Sequence, residues 1–167
     1  GVFEIYVNGK PVGNEFLKPG FTHYAKTKYS FTYDITDAFN TADGAENVLS
    51  AQLTPGWWAD KIITPGGDIG MIGKKCAFRG VLELVYADGS RKYYGTDLDN
   101  WKAGVAGPVK HSAIFDGEYY DARVQPGYET ADNFGKPEIN TEFDGVIRPS
   151  NGAEIYLRHD LSLSPVR

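Results

Sequence analysis

Two adjacent tryptophans followed by an aspartate have the chemistry of a sugar-binding site. Trp57 and Trp58 come directly after a strand-like segment and open a long loop, and Asp60 follows them. An indole ring packs against the apolar face of a pyranose, while carboxylates and amides bind its hydroxyl groups. Because adjacent side chains of a strand point to opposite faces, one indole is expected at the surface and the other in the core. The alternative is that both belong to the core.

A second oxygen-rich segment, residues 96–101 (TDLDNW), has the ligand types that Ca²⁺ prefers. It is not an EF-hand loop, because Lys102 stands where that loop requires glycine and no glutamate follows at the twelfth position. The alternative is an Asx turn in which an aspartate accepts backbone hydrogen bonds. The segment therefore predicts either a calcium site or a structural turn.

Three carboxylates cluster in residues 115–121 (FDGEYYD), namely Asp116, Glu118 and Asp121. Glycoside hydrolysis needs two carboxyl groups about 5–9.5 Å apart across a cleft. The sequence favours a surface turn here, in which the carboxylates accept backbone hydrogen bonds.

Nucleophilic and zinc chemistry have little support. The single Cys76 follows Lys74 and Lys75, which can lower a thiol pKa, but its position before an apolar strand favours a structural thiol. No G-x-S-x-G motif is present, and the histidines show no short ligand spacing.

Composition excludes several classes of partner. The chain has 167 residues, 22 acidic against 17 basic side chains and a formal charge of −5. Without a run of Lys or Arg, this charge argues against nucleic acid and anionic membrane as partners. No apolar run reaches 18 residues, so the sequence predicts no membrane span.

Turn and strand signals predict an all-β fold, a jelly-roll β-sandwich. Asn8-Gly9 and Asp88-Gly89 are hairpin signals between β-formers. No window longer than about one turn has the apolar spacing of an amphipathic helix. Loops are expected at 57–75 and 125–151, and strands are expected at 3–7, 29–35, 47–53, 78–86, 91–94, 155–158 and 161–163.

Several segments, taken in order, resemble a known domain. The more specific are residues 4–13 (EIYVNGKPVG) and 116–123 (DGEYYDAR); the supporting ones are 33–36 (YDIT), 46–49 (ENVL), 55–58 (PGWW), 82–90 (LELVYADGS), 96–101 and 148–166. Together they resemble the amino-terminal β-sandwich domain of bacterial α-L-rhamnosidases over nearly the whole chain. The sequence departs from that family at Asn14, where an acidic residue is common, and at Phe21, which replaces a usual Trp.

The resemblance implies one jelly-roll domain over residues 1–167, a fragment or accessory module of a larger α-L-rhamnosidase. Its implied partner is the catalytic (α/α)₆ barrel, so the chain alone is not expected to be an enzyme. The first residue, Gly1, begins a strand-like segment, which predicts a processed protein or a trimmed fragment. A bacterial, extracellular or periplasmic location is expected.

Some relatives of this domain bind rhamnose with the help of Ca²⁺. On chemistry alone the candidate calcium ligands are Asp97, Asp99, Glu46 and Asn47, with Asn100 as a further oxygen donor.

Three functions remain open at this stage. The first is a module that binds L-rhamnose or a rhamnosyl glycan, with stacking on Trp57 or Trp58 and hydroxyl recognition by Asp60, Asp97 and Asn100. The second is a structural domain that packs against its catalytic partner and exposes an apolar patch when alone. The third is an autonomous enzyme with two carboxylates in a deep pocket.

Overall fold

The fold is an all-β sandwich, as the sequence predicts. A computed structural model describes residues 1–61, 70, 72–105, 107–124 and 134–165. In these ranges the single α-helix, α1, is one turn long (Gly56–Ala59). The strands are β1 (Val2–Val7), β2 (Lys10–Pro11), β3 (Thr27–Ser30), β4 (Leu49–Thr54), β5 (Val81–Val85), β6 (Arg91–Gly95), β7 (Val109–Ala113), β8 (Gly117–Tyr120) and β9 (Val146–Pro149).

The two long loops that the sequence predicts are only partly visible. Residues 62–69, 71 and 125–133, which belong to them, lie outside the described residues. Across the described ranges, no helix is long and apolar enough to cross a membrane.

A three-stranded antiparallel sheet in the order β2-β1-β4 is the largest sheet among the described residues. Its hairpin turn is the predicted one: Asn8 and Gly9 have φ values of 51° and 75°, as a type I′ turn requires. The full register of β1 on β4 runs from Val2 opposite Thr54 to Val7 opposite Leu49.

The remaining strands form two-stranded ribbons. β5–β6 and β7–β8 are antiparallel hairpins, and β3–β9 is a parallel pair. The Asp88-Gly89 signal is confirmed as a hairpin, with Gly89 at φ 83° and the backbone N–H of Tyr86 donating to the carbonyl of Ser90 at 2.9 Å.

Several predicted strands are shifted or absent. The segment expected at 29–35 forms β3 two residues earlier and ends at Ser30, and the segment expected at 47–53 becomes β4, Leu49–Thr54. Residues 155–158 form no strand, and 161–163 overlaps a 3₁₀ turn, His159–Leu161. The apolar alternation of this tail is real, but pairing needs a neighbouring strand, and the tail forms no ladder.

The buried core is small and lies beside α1. Tyr24, Trp58 and Ala59 form the buried cluster, and Trp57 and Cys76 pack against it while remaining half-buried. Val7 and Val12 are buried at the hairpin of the three-stranded sheet. A row of aromatic contacts runs beside the core, joining Phe3 to Phe31 and Phe78, and Phe78 to Trp101.

Candidate functional site

The tryptophan pair divides into a core residue and a half-buried residue. Trp58 is 7% exposed; its indole Nε1 donates to the carbonyl of Lys75 at 2.8 Å, and its ring meets Tyr24 edge-on with centroids 5.4 Å apart. Trp58 is therefore not a stacking platform. The two indoles lie on α1 and not on a strand, so the strand alternation is not what separates them.

Trp57 and Asp60 also differ from the sequence prediction. Trp57 is half-buried, and its ring lies edge-on to Phe21 at 6.3 Å. Asp60 is 5% exposed; its Oδ1 accepts a hydrogen bond from the backbone N–H of Lys61 at 2.8 Å. Its Oδ2 is buried without a hydrogen-bond partner among the described residues. The Asp60 side chain thus faces the interior and does not present its oxygens to a surface ligand.

The segment at 97–100 is an Asx turn. Asp97 Oδ1 accepts from the backbone N–H groups of Asp99 and Asn100 at 2.8 and 2.6 Å, and Oδ2 accepts from the Asn100 side-chain amide at 2.9 Å. These hydrogen bonds, the one from the Asn100 amide above all, lower the pKa of Asp97. Asp99 is exposed and lies 3.4 Å from Nζ of Lys136. Both oxygens of Asp97 are therefore used locally.

Asn47 has a structural role that sequence reasoning missed. Its Oδ1 accepts from the side chain of Asn8 at 2.8 Å and from the backbone N–H of Asn40 at 2.7 Å, and its Nδ2 donates to the carbonyl of Asn40 at 2.8 Å. Its amide braces the β1–β2 turn, while the neighbouring Glu46 is exposed.

The structure does not bring the predicted calcium ligands together. Within the described ranges, no group of three or more His, Cys, Asp or Glu side chains could hold a metal ion. The structure therefore does not gather Asp97, Asp99, Glu46 and Asn47 around one position.

The cluster at 116–121 and the thiol have ordinary structural partners. Asp116 accepts from Nζ of Lys61 at 2.6 Å, and Asp121 forms a two-point salt bridge with Arg123 at 2.8 Å. Burial raises the pKa of the Cys76 thiol, whose Sγ lies 3.3 Å from the carbonyl of Thr54. These contacts give neither group an activated chemistry.

Two neighbouring clefts meet at Tyr29. The aromatic cleft, of about 250 Å³, is lined by Phe16, Phe21, Tyr29 and Phe31 together with Glu15 and Glu154. The basic cleft, of about 360 Å³, is lined by Thr22, His23, Lys26, Tyr29, Arg148 and Asn151. None of the ligand or metal residues predicted from the sequence lines either cleft. Phe21, which stands where the family usually has Trp, lines the first.

A buried charged network lies beneath the aromatic cleft. Lys18 is 2% exposed; its Nζ pairs with Glu4 at 3.0 Å and donates to the carbonyl of Val12 at 3.3 Å. Glu15 is also buried and accepts a hydrogen bond from the hydroxyl of Tyr33. Burial opposes the charged form of Glu15, but this bond and those from backbone N–H groups lower its pKa. Burial, with the hydrogen bond to Glu15, raises the pKa of Tyr33.

The strands and the two clefts together define an all-β sandwich domain with two neighbouring surface clefts. A family model described as "Alpha-L-rhamnosidase N-terminal domain" matches residues 1–144. An α-L-rhamnosidase of Streptomyces avermitilis is 34% identical, over 89% of this chain and 15% of its own length. The chain belongs to the family of α-L-rhamnosidase N-terminal domains.

Solved structures agree with this assignment. The Streptomyces avermitilis α-L-rhamnosidase complexed with L-rhamnose has a TM-score of 0.69 and 31% identity, over 80% of this chain and 13% of that one. The native α-L-rhamnosidase of Aspergillus terreus has a TM-score of 0.74 and 27% identity, over 85% of this chain and 17% of that one. The chain thus spans about a sixth or less of these relatives, and it corresponds to their N-terminal domain without their catalytic region.

Proposed function

We propose that this chain is a non-catalytic accessory domain that packs, through the exposed face of the β5–β6 ribbon, against the remainder of an α-L-rhamnosidase. The observation that carries the proposal is the exposure of apolar side chains on regular strands. Val81 and Val85 are 64% and 61% exposed and lie on the same face of β5. An isolated two-stranded hairpin is only marginally stable in water, so this ribbon needs a covering surface.

The length of the relatives supports the same conclusion. The relatives contain roughly five to seven times as much chain beyond the matched domain, because it makes up only 13–17% of their length. We therefore propose that the surface covering the ribbon belongs to the same polypeptide.

The chemistry of the ribbon is that of an interface. Between the two valines, Glu83 accepts hydrogen bonds from Arg91 and from the hydroxyl of Tyr93. Both residues share this face, because Arg91 is registered opposite Val85 and Tyr93 opposite Glu83. Tyr and Arg are enriched at interfaces, and a satisfied ion pair between apolar residues can be buried without leaving a charge unpaired.

The test places a lysine on this face in two contexts. In the 167-residue chain, Val85→Lys is expected to change the unfolding free energy by less than about 0.5 kcal/mol, because the site is exposed. In the longer enzyme the same change buries a charge and should lower the melting temperature by several degrees. Val105→Lys, at a residue that is 98% exposed, is the matched control. Equal effects of the two substitutions in the longer enzyme would refute the packing proposal.

Glycan binding is the second candidate function, and the two clefts that meet at Tyr29 favour it. They bring aromatic rings next to hydroxyl, amide and charged groups, which is the combination that sugar sites use. Tyr29 and Phe21 therefore replace Trp57 and Trp58 as the proposed stacking residues. The relative solved with L-rhamnose makes a rhamnosyl glycan the first ligand to try.

Calorimetric titration of L-rhamnose, with calcium and again with EDTA, tests this second function. A dissociation constant on the order of 10 µM to 1 mM is expected, because a monosaccharide offers few atoms to bury. Phe21→Ala should remove the binding heat and leave folding nearly unchanged. Binding that disappears in EDTA would support the calcium prediction, and the absence of heat in both buffers would refute glycan binding by this sugar.

A further inference from the structure

The basic cleft has an unusual charge for this protein. The chain as a whole carries a net −5, yet among the described residues the cleft is lined by Lys26, Arg148 and His23 and by no Asp or Glu. In the described part of the chain, these three side chains form no ion pair and no side-chain hydrogen bond. By contrast, Arg123 and Arg158 are each held in a two-point salt bridge by a neighbouring aspartate.

Backbone hydrogen bonds fix the turn that carries His23 and Lys26. The backbone N–H groups of Lys26 and Thr27 both donate to the carbonyl of His23, at 2.8 and 3.0 Å. The hydroxyl of Thr22 donates to the carbonyl of Thr27 at 2.5 Å. The turn that carries His23 and Lys26 is thus closed at both ends before any ligand arrives.

The parallel register of β3 and β9 places an aromatic ring beside the arginine. Tyr29 is registered opposite Arg148, so the two side chains leave the same face of the pair. The preceding residue of β3, Lys28, points to the other face, where its Nζ lies 4.8 Å from the ring centre of Trp58. One face of the pair therefore serves the core, and the other presents a phenol ring and a guanidinium group together.

From this arrangement we infer that the basic cleft binds the anionic substituent, a carboxylate or a sulfate ester, of an acidic sugar residue in a glycan. Arg148 matches the two oxygens of such a group in a fork geometry, and Lys26 adds a point charge. Tyr29 offers its ring to the pyranose, and Asn151 and Thr22 offer groups for its hydroxyls. A volume of about 360 Å³ lies within the range of small-molecule sites.

The shared ring links this cleft to its neighbour. Because Tyr29 lines both clefts, an acidic residue in the basic cleft leaves the next sugar beside Phe21 and Phe31. The inference thus rests on the proposed glycan binding and deepens it, by predicting a neutral sugar joined to an acidic one. The aromatic cleft is lined by Glu15, Glu154 and Lys18, and Lys18 is already paired with Glu4. The two carboxylates therefore disfavour a second anion there, as a nucleic acid backbone would require.

The test compares a carboxylate with its own ester. Calorimetry on the 167-residue chain, after its melting transition is verified, uses a disaccharide of glucuronic acid and L-rhamnose, its methyl ester, an L-rhamnose sulfate ester and L-rhamnose. The acid is expected to bind at least tenfold more tightly than the ester, because charge-assisted hydrogen bonds are lost with esterification. Raising the salt concentration from 20 to 200 mM should weaken the binding of the anionic ligands only. A sulfate preference over the carboxylate would still support the inference and would identify the anion.

Two variants test whether the preference for the acid over its methyl ester arises in the basic cleft. Arg148→Gln should bring the acid-to-ester ratio to within about twofold of one and leave affinity for the ester unchanged. Arg79→Gln, at an exposed arginine that lines neither cleft, should preserve the ratio. If Arg148→Gln lowers the melting temperature, the acid-to-ester ratio is measured instead in Lys26→Gln, which changes an exposed side chain of the same cleft.

The outcomes separate this inference from the function on which it rests. Equal binding of acid, ester and rhamnose would overturn the inference while glycan binding stands. No heat with any saccharide would overturn both. Competition by inorganic phosphate at the affinity of the acid disaccharide would overturn the inference, because the cleft would then bind any anion.

Discussion

Replacing Trp58 by alanine should be one of the most costly single changes in the core. A buried indole removes up to about 250 Å² from water, which at about 25 cal/mol per Å² corresponds to at most about 6 kcal/mol. Residual structure in the unfolded chain reduces this figure, whereas loss of the bond from Nε1 to the carbonyl of Lys75 leaves an acceptor unpaired, at a cost of about 1 kcal/mol. We expect about 4 kcal/mol for Trp58→Ala, within the range for large-to-small core changes.

Urea unfolding followed by circular dichroism measures this cost without depending on the fluorescence of the removed residue. Trp57→Ala is the matched control and should cost about 1–2 kcal/mol, because Trp57 is only half-buried. Trp58→Phe, which keeps a ring against Tyr24 but loses the hydrogen bond, should fall between the two if Trp58→Ala does not fold. The reasoning would be refuted if Trp58→Ala cost no more than Trp57→Ala, or if it removed sugar binding while leaving stability intact.

Three further predictions concern stability. Lys18→Met should cost about 2–3 kcal/mol in urea unfolding, because it leaves Glu4 without its buried partner; Lys75→Met, which breaks an exposed pair, should cost less than about 0.5 kcal/mol, and equal costs would contradict this reading. Burial raises the pKa of Tyr24 to about 12, against about 10 in the unfolded chain. The stability that the buried protonated phenol contributes is therefore fully present below pH 10 and is lost as the pH rises toward 12. That loss amounts to roughly 2–3 kcal/mol, and Tyr24→Phe should flatten the pH dependence of the urea midpoint; an unchanged slope would count against it. Asn47→Ala removes three hydrogen bonds and should cost about 2 kcal/mol whether or not calcium is present, whereas a cost seen only with calcium would restore its role as a ligand.

Local backbone chemistry is what the sequence predicts best. The Asn8-Gly9 turn follows from the positive φ that both positions need, and residues 96–101 contain the Asx turn that was one of the two readings. β9 is harder to foresee, because it pairs with β3, which lies 119 positions earlier in the chain. Apolar alternation at 155–158 predicts a strand that does not form, since a strand also requires a partner.

In the candidate site, too, residue types are readable from the sequence, whereas burial and proximity depend on tertiary contacts. Trp58 and Asp60 have the residue types of a sugar site, but their burial is decided by the packing of α1. Lys18 and Glu15 are charged residues of an irregular segment, and nothing in the sequence shows that tertiary contacts bury them. Arg148 and Tyr29 are 119 positions apart, and only the parallel register brings them together.

Amide hydrogen exchange in two contexts tests the packing proposal most directly. In the 167-residue chain, the amides of the β5–β6 ribbon should exchange rapidly, while those of β1 and β4 are protected. In the longer α-L-rhamnosidase that carries this domain, the β5–β6 amides should become protected by at least tenfold, with β1 and β4 changed far less. Equal exchange of the ribbon in both contexts would contradict the account.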